Sequence, residues 1–399
     1  MSVFIGILGL AFLVLVHELG HFLTARAVGM RPRRFYIGFP PALAKTERNG
    51  IEYGIGVIPL GGYVKIPGMH RVSEADAELY FGRTVRQAPE LVGPTQRLKR
   101  ALAREDEESA RAAVRELEQA AGPDPPEGLE RGIQEVMDGL SPEAYWRQRT
   151  WKRVAVILAG PATNLVFAVI LFACLFLVGG GKATTTVGQV LDGRPAASVG
   201  MQPGDRVVSI NGVRVTPSEI SKRISGSRGR PITLLVRRDG RQVRLGPVRP
   251  QVIDGAYRLG FVLRGEHLGV GESAWQSVKL TGIVTREIGK SLFRLVHGEG
   301  RKDISSPVGI VQGSSDALHQ GLQNYLWVLG LISLSLALMN MLPLLPLDGG
   351  HIAFSLVEGV RGRAVAREVY ERVSVVGIVL VVLLFFIGIS NDVSRLDGG

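Results

Sequence analysis

Two histidines and a glutamate lie within one short stretch, His17-Glu18-Leu19-Gly20-His21. Residues at positions i and i+4 of an α-helix share one face, so His17 and His21 can direct imidazole nitrogens at a single zinc ion. Glu18 then lies beside the metal, where its carboxylate can take a proton from the attacking water and pass it to the departing amine. The spacing therefore predicts a hydrolytic zinc centre.

The surroundings of this motif separate a metal site from a chance pattern. A short H-E-x-x-H stretch also occurs on soluble helices, where both histidines are ordinary surface or core residues. Here the motif lies inside an apolar run at 3–25. Ionisable groups at membrane depth are costly and are kept mainly where they face a protein interior or a water-filled cavity. The context favours the metal site.

A catalytic zinc needs a third protein ligand and one open position. The stretch 340–351 offers it, because Pro343 and Pro346 break the preceding helix and a glycine pair lets the backbone bend around Asp348. Carboxylate oxygen is an ordinary zinc ligand, so we favour Asp348. His351 is the competing ligand, and a solvent-exposed turn is the alternative role for Asp348.

The apolar residues of the chain fall into long runs. The chain has 399 residues, of which 46% are hydrophobic, and its runs near 3–25, 153–178, 324–345 and 372–390 are each long enough to cross a bilayer. We predict four transmembrane helices. Cleavage of the first run as a signal peptide after Ala25 and Ala27 is the alternative, but no basic residue precedes the run and it carries the metal motif.

Basic residues beside the runs predict the orientation. They are Arg26, Arg31, Arg33, Arg34 and Lys45 after the first run, Arg147, Arg149, Lys152 and Arg153 before the second, and Arg361, Arg363 and Arg367 after the third. Such flanks are cytoplasmic as a rule. We therefore expect the zinc site near the cytoplasmic side, with the N-terminus, the tail 391–399 and the segment between the second and third runs outside.

The net charge of +11 does not indicate nucleic acid, because the basic residues are mixed with acidic ones and no nucleic-acid module is recognisable. Anionic lipid headgroups are the expected partner. Cys174, the single cysteine, lies in an apolar run, which excludes a disulfide within the chain and a thiolate metal site.

Two segments outside the runs have strand patterns. The stretch 51–66 alternates apolar with small or polar residues around a glycine-rich centre, which predicts a hairpin whose exposed edge could hold an unwound substrate by strand addition. We assign Gly54 and Gly56 a substrate-binding or site-shaping role there, with an ordinary cytoplasmic hairpin as the alternative. Between 184 and 266, an Asn-Gly and an Asp-Gly hairpin predict a small β-rich domain.

Two further segments carry no predicted chemistry. The charged insert 71–150 is expected to form a cytoplasmic helical pair that shields the zinc site, a membrane-surface element or a partly disordered linker. The stretch 270–302 is expected to be amphipathic. Its residues available for membrane contact are Trp275, Leu280, Ile283, Ile288, Leu292 and Leu295.

Taken together, these motifs resemble the site-2 protease family of intramembrane zinc metalloproteases, peptidase family M50, and within it the bacterial regulator of sigma-E protease branch. The resemblance rests on H-E-L-G-H at 17–21, G-P-x-x-N at 160–164, S-P-V-G-I at 306–310 and N-x-x-P-x-x-x-L-D-G at 340–349. The region 51–66 resembles the membrane-associated β-loop of the family. The region 184–266 looks like a single PDZ domain, where that branch carries two in tandem.

The resemblance implies zinc held by His17, His21 and Asp348, with Glu18 as the base. It also implies that Asn164 and Asn340 hold the substrate or polarise the site. The peptide-carboxylate loop of the PDZ-like domain would be Leu259, Gly260 and Phe261.

We therefore predict a four-span α-helical membrane protein with a membrane-associated β-loop and an inserted PDZ-like domain. The expected regions are 1–70, 71–150, 151–180, 184–266, 267–323 and 324–399. The expected function is zinc-dependent cleavage of single-span membrane proteins, such as anti-sigma factors or remnant signal peptides, by a monomer in the bacterial inner membrane. A PDZ membrane scaffold without catalysis and a metal-dependent transporter are the competing functions.

Overall fold

The structure, a computed structural model, describes residues 2–181, 183–253, 255–301, 304–365 and 367–397. Its helices are α1 (Ser2–Ala27), α2 (Glu74–Gln87), α3 (Val92–Ala103), α4 (Glu107–Ala121), α5 (Leu129–Leu140), α6 (Thr150–Leu175), α7 (Pro195–Ser198), α8 (Pro217–Gly226), α9 (Val270–Val296), α10 (Pro307–His319), α11 (Leu322–Asn340), α12 (Asp348–Arg361) and α13 (Arg367–Asp397). Its strands are β1 (Arg34–Arg48), β2 (Ile51–Lys65), β3 (Ala183–Val190), β4 (Arg206–Ile210), β5 (Val213–Arg214), β6 (Ile232–Arg238), β7 (Arg241–Val248), β8 (Gln251–Ile253), β9 (Ala256–Arg258) and β10 (Phe261–Gly265).

The chain forms two compact units. The first comprises residues 1–167, 287–316 and 332–399, and the second comprises 168–286 and 317–331. The first unit holds the H-E-L-G-H and L-D-G motifs together with the insert. The second unit holds the β-rich domain.

The segments that could span a membrane lie in α1, α11 and α13, and in α6 together with the short π-helix that follows it, Phe176–Gly180. The segments are Val3–Ala27, Thr150–Gly179, Leu322–Asn340 and Val369–Ser394, with mean hydropathies of 2.2, 2.4, 1.5 and 3.0. No more than 33% of any of their most apolar windows is buried within the protein, so most of this apolar surface faces outward. Lipid is the solvent that suits such a surface, and the protein is a membrane protein.

These segments lie where the apolar runs predicted helices, with one difference. The third run extends to 345, but α11 ends at Asn340 and a loop with two prolines, Pro343 and Pro346, follows it. Proline lacks a backbone N–H and clashes with the preceding helical turn, which ends the helix early. The loop leads directly into α12, whose first residue is Asp348.

Strands β1 and β2 form a bent sheet beside α1. Residues 34–37 have partners on both sides, in 52–55 and in 62–65, and residues 42–48 pair with 51–56. The tight turn between the strands is at Asn49 and Gly50, where φ is +54° and +70°. The predicted hairpin across the glycine-rich centre is therefore wrong in its pairing, because residues 34–37 lie between its two arms. Residues 62–65 form an edge of this sheet.

The insert contains four helices, α2 to α5, where the sequence predicted a pair. Their buried side chains pack into one cluster that includes Phe81, Leu98, Leu117 and Val136. Most of the charged residues face solvent around this core, with Asp76 and Asp138 as buried exceptions, which explains why the stretch has a polar composition and still folds.

The second unit contains a sheet in the order β10-β3-β4-β6-β7, with β5 paired to β4. Both predicted hairpins are present. Asn211 and Gly212 turn β4 into β5, and Asp239 and Gly240 turn β6 into β7, all four with positive φ. Its core includes Val187, Val207, Ile210, Ile220, Leu234 and Val236.

Helix α9 has the reverse of the usual polarity. Its buried positions include Ser273, Ser277 and Thr281, whereas Trp275 and Ile283 are exposed. A soluble helix buries its apolar stripe. The arrangement agrees with the expected membrane contact, although Leu280 and Ile288 are only half-exposed.

Candidate zinc site

Three side chains that could bind a metal converge where α1 meets the start of α12. His17 Nε2 and His21 Nε2 lie 3.1 Å and 3.4 Å from Asp348 Oδ2, and 3.2 Å from each other. Both histidines are 7% exposed. Among the described residues, these three form the group of histidine, cysteine and acidic side chains that could hold a metal ion.

The distances fit a zinc ion. Zinc bonds of 2.0–2.2 Å in tetrahedral geometry place neighbouring donor atoms about 3.3 Å apart. Asp348 Oδ2 is buried, and no described residue donates a hydrogen bond of acceptable geometry to it. A buried carboxylate oxygen that faces two imidazole nitrogens without a hydrogen bond has the surroundings expected of a metal ligand.

Two glycines let α1 and α6 approach closely enough to build the site. A Cβ on Gly20 would lie 2.6 Å from the carbonyl oxygen of Ala159, and a Cβ on Gly160 would lie 2.2 Å from His21 Nε2. Small residues allow membrane helices to pack backbone against backbone. Gly160 therefore provides the space that the imidazoles occupy, a role that sequence reasoning did not assign to it.

The second nitrogen of each histidine is also held. His21 Nδ1 lies 2.8 Å from the carbonyl oxygen of Val156, and His17 Nδ1 lies 3.2 Å from the side-chain amide of Asn164. Such contacts fix the ring orientation and leave Nε2 free for a metal. Ser333 of α11 donates a 2.8 Å hydrogen bond to the Asn164 carbonyl oxygen and so joins the third apolar helix to this frame.

The position of Asp348 depends on close packing behind it. A Cβ on Gly349 would lie 2.3 Å from the carbonyl oxygens of Met341 and Leu342, so only glycine fits beneath the loop. Helix α12 is tied to the start of α6 by an ion pair between Glu358 and Arg153. These contacts hold the carboxylate in place although it comes from a different part of the chain.

A cavity of 540 Å³ opens beside the three donors. Glu18, Tyr63, Asn340 and His351 are among its lining residues, together with Gly61, Gly62 and Val64 of β2. The backbone N–H of Val64 is directed at the Glu18 carboxylate, which keeps that side chain at the cavity wall. The cavity can therefore admit a peptide beside both a metal and a base.

The other predicted site residues lie in several places. Asn340 and His351 line the cavity, and His351 Nδ1 lies 2.8 Å from the Tyr370 hydroxyl. Gly54 and Gly56 are not among the lining residues, whereas Gly61 and Gly62 are. The substrate-binding or site-shaping role predicted for Gly54 and Gly56 stays a prediction, and β2 folds back so that its later glycines reach the cavity.

Gly54 has a packing role. A Cβ there would lie 2.2 Å from Cε1 of Tyr36, and that ring stacks on Tyr63 with a centroid distance of 5.2 Å. Gly54 thus allows Tyr36 to set the position of Tyr63, which does line the cavity.

The predicted carboxylate loop lies in the second unit, just before β10. Leu259 is 1% exposed in the core of that unit, and the carbonyl oxygen of Gly260 accepts a 2.9 Å hydrogen bond from Leu191 N. Gly260 has a φ of +81°, and a Cβ there would clash with Arg194. Phe261 begins β10, which has one paired neighbour, β3, and so is a sheet edge.

Comparison with known proteins agrees with this geometry. The family model of peptidase family M50 matches residues 5–384. The chain belongs to peptidase family M50. Curated relatives that match 91% and 98% of this chain are named as zinc metalloproteases. With the family match, this identifies the chain as a zinc metalloprotease.

Three relatives show how similar the chain is to curated members of the family. A candidate zinc metalloprotease of Brucella suis is 30% identical over 91% of this chain and 88% of its own length. A second candidate zinc metalloprotease, from Agrobacterium fabrum, is 30% identical over 98% of this chain and 95% of its own length. The regulator of sigma-W protease RasP of Bacillus subtilis is 27% identical over 96% of each chain. The resemblance that the sequence motifs indicated is confirmed at the level of the family.

Proposed function

We propose that this M50 protease cleaves peptide bonds within the transmembrane segments of single-span membrane proteins. The observation that carries the proposal is the placement of His17, Glu18 and His21 in α1, an apolar helix long enough to cross a bilayer. A protease that acted on soluble chains would gain nothing from ionisable groups at that depth.

His17, His21 and Asp348 would hold the zinc, and all three line the cavity that a substrate would enter. When bound, zinc supplies a Lewis acid that activates water and polarises the scissile carbonyl. Glu18 accepts the proton that water loses as its oxygen bonds to the carbonyl carbon. Glu18 then delivers that proton to the nitrogen as the C–N bond breaks, so the products are a carboxylate and an amine.

The edge segment 62–65 would bind the substrate backbone. A helical substrate hides its carbonyl groups in hydrogen bonds, and an exposed strand edge can hold the same chain extended by strand addition. Gly62, Tyr63 and Val64 line the cavity that holds Glu18, so an added strand there would pass beside the base. Asn340, on the same cavity, is a candidate donor to the substrate carbonyl.

The β-rich domain would act as a single PDZ-like module outside the cytoplasm. Its support is the loop 259–261, which leads into the sheet edge β10, since peptide termini bind at such edges through backbone N–H groups. We place the protein in the bacterial inner membrane, with the zinc site near the cytoplasmic side, from the basic residues beside the spans. We expect it to act as a monomer.

The geometry and the name of one relative support the proposed substrate class. An unwound single span suits the cavity, and the Bacillus relative is named as a regulator of sigma-W, which supports anti-sigma factors as substrates. Remnant signal peptides resemble the span of an anti-sigma factor, because they too are short apolar helices. Both are single-span chains with an end that is free to enter.

The test compares wild type with Glu18→Gln in detergent, with bound zinc and cleavage of a synthetic transmembrane peptide measured on the same samples. We expect about one zinc in each protein and cleavage by wild type alone, because the amide cannot accept the proton. Glu118→Gln, at an exposed position on α4, is the matched control and should cleave as wild type does.

Two results would contradict the proposal. Equal cleavage by Glu18→Gln would show that Glu18 is not the catalytic base. A wild type that binds zinc but cuts only soluble peptides would show that its substrates are not transmembrane segments. A wild type that neither binds zinc nor cuts would favour the scaffold function of the β-rich domain.

A further inference from the structure

The helical insert is a folded body with a core of its own. Side chains of the core that are completely buried include Phe81, Leu91, Leu98, Leu117 and Val136. The buried members of this core all come from residues 77–140. Interiors packed in this way transmit displacement rather than absorb it. The insert can therefore hold whatever it contacts at a fixed position.

Two ion pairs join the insert to the β1/β2 sheet. Lys65, the last residue of β2, pairs with Glu135 of α5, and both side chains are less than a quarter exposed. Arg33, just before β1, pairs with Asp138 of α5 at 3.1 Å, and the Asp138 side chain is 1% exposed. Partly buried pairs are screened by salt less than surface pairs are.

Backbone hydrogen bonds fix the connection that leaves β2. Tyr145 N donates to the carbonyl oxygen of Pro67 at 2.9 Å, and Trp146 N donates to that of Gly68 at 3.0 Å. Gly68 has a φ of +62°, and a Cβ there would lie 2.6 Å from Ala144 Cβ. The chain on either side of the insert is thus held against the end of the sheet.

These anchors act directly on the part of β2 that lines the cavity. Lys65 follows Val64, and its carbonyl oxygen accepts a 2.8 Å hydrogen bond from Arg33 N. Glu52 N in turn donates to the carbonyl oxygen of Arg33 at 2.9 Å. A shift of Lys65 would therefore move the edge segment 62–65, which binds the substrate backbone in the proposed function, and so weaken substrate binding.

We propose that the insert is a positioning element that sets the edge segment 62–65 beside Glu18 through the Lys65–Glu135 and Arg33–Asp138 pairs. This role rests on the proposed function, in which that edge binds the substrate backbone. The four charged side chains position the edge and are not catalytic. They control how tightly an extended substrate binds, while zinc and Glu18 control the chemical step.

The experiment uses the full-length protein in detergent and the synthetic transmembrane peptide. Glu135→Gln removes one ion pair at a partly exposed position, and we expect KM to rise about fivefold, with kcat and zinc content unchanged. The control is Glu116→Gln, which breaks the Arg97–Glu116 pair between α3 and α4, away from the sheet, and should leave KM unchanged. The double variant Lys65→Glu with Glu135→Lys restores an ion pair and should bring KM back toward the wild-type value.

Amide hydrogen exchange of residues 61–66, measured without substrate, gives a second readout. Exchange should be faster in Glu135→Gln than in wild type or in Glu116→Gln, because the edge is less firmly held. Faster exchange in a protein whose wild type does not cleave would support positioning while the proposed function fails. Unchanged exchange, an unchanged KM, a loss of zinc or a double variant that stays impaired would overturn the inference.

Discussion

Two aspartates that are largely shielded from water, Asp205 in the second unit and Asp348 in the first, have different surroundings. Asp205 in the β-rich domain accepts hydrogen bonds from Arg238 Nε and Nη2, both at 2.7 Å, and from Gln202 N at 2.9 Å. Asp348 faces His17 Nε2 and His21 Nε2 with Oδ2, which receives no well-formed hydrogen bond from the described residues. Both carboxylates are largely removed from water, yet only one has its oxygens saturated by the protein.

The difference separates a structural carboxylate from a ligand. A carboxylate whose lone pairs are already used has little left to give a metal, whereas an unsaturated one beside two imidazoles needs a cation to offset its burial. The pKa of Asp205 reflects the first case. Burial alone would raise it, but the hydrogen bonds and charge of Arg238 and the hydrogen bond from Gln202 outweigh burial, so the pKa lies below its usual value.

The largest effect should come from removing the unsaturated carboxylate. Asp348→Ala leaves two protein ligands where catalytic zinc takes three, so we expect bound zinc and peptide cleavage both to be lost. Metal content after dialysis and a cleavage assay measure this. His351→Ala is the control for a neighbouring cavity residue and should keep its zinc. If His351→Ala lost the metal and Asp348→Ala kept it, the assignment of the third ligand would be reversed.

The positions of Asp348 and His351 in the structure also show how much of the site could be predicted from the sequence. The clustering of His17, His21 and Asp348 was predictable because i, i+4 spacing is a local property of a helix, and because an aspartate after a proline-broken apolar helix has few structural uses. The apolar segments were predictable for the same reason, since length and composition decide them. The choice of Asp348 over His351 rested partly on the chemistry of carboxylate ligands and partly on the resemblance to the family.

Features that depend on distant pairing were not predictable. Gly160 clears space for an imidazole that lies some 140 residues earlier in the chain, and nothing near Gly160 in the sequence specifies that contact. The same holds for residues 34–37, which enter between the two arms of β2 and bring Gly61 and Gly62, rather than Gly54, to the cavity. Strand register is set by the whole sheet, so a single strand pattern cannot give it.

The next effect should appear at the saturated carboxylate. Asp205→Ala removes the carboxylate to which Arg238 and Gln202 N donate, and the loss of these charge-assisted hydrogen bonds should cost about 2 kcal/mol of the stability of the β-rich domain, with zinc content unchanged. Hydrogen exchange of β4 and β6 in the full-length protein measures it. Val262→Ala, at an exposed position of the same domain, is the control and should change exchange little.

Lowering the pH is a second way to break the same pair. Because the folded pKa of Asp205 is depressed, the pair contributes its full stability above the unfolded value of about 4, and this stability is lost as the pH falls through the lower folded pKa. Exchange corrected for its intrinsic pH dependence should therefore rise at acid pH in wild type and less so in Asp205→Ala. Identical acid profiles in the two proteins would show that the pair contributes nothing.

The smallest effect should come from Asn164, which supports a ligand without being one. With Nε2 of His17 on the metal, Nδ1 carries the proton and needs an acceptor. The Asn164 Oδ1 atom is buried with no hydrogen-bond partner among the described residues, and the two orientations of an amide have nearly the same shape. The orientation that turns Oδ1 toward Nδ1 satisfies both atoms. Asn164 would then act as an acceptor, as supporting groups of zinc-bound histidines do.

Two substitutions separate this role from simple packing. Asn164→Leu keeps the volume and removes the acceptor, so zinc affinity should fall about 10–100-fold. Asn164→Asp has the same shape with acceptor oxygens only and should bind zinc at least as well as wild type. Competition with a chelator of known affinity measures both. Equal weakening in the two variants would mean that Asn164 fills space and donates to the ring, and the histidine frame would then be held from one side, by the Val156 carbonyl on His21.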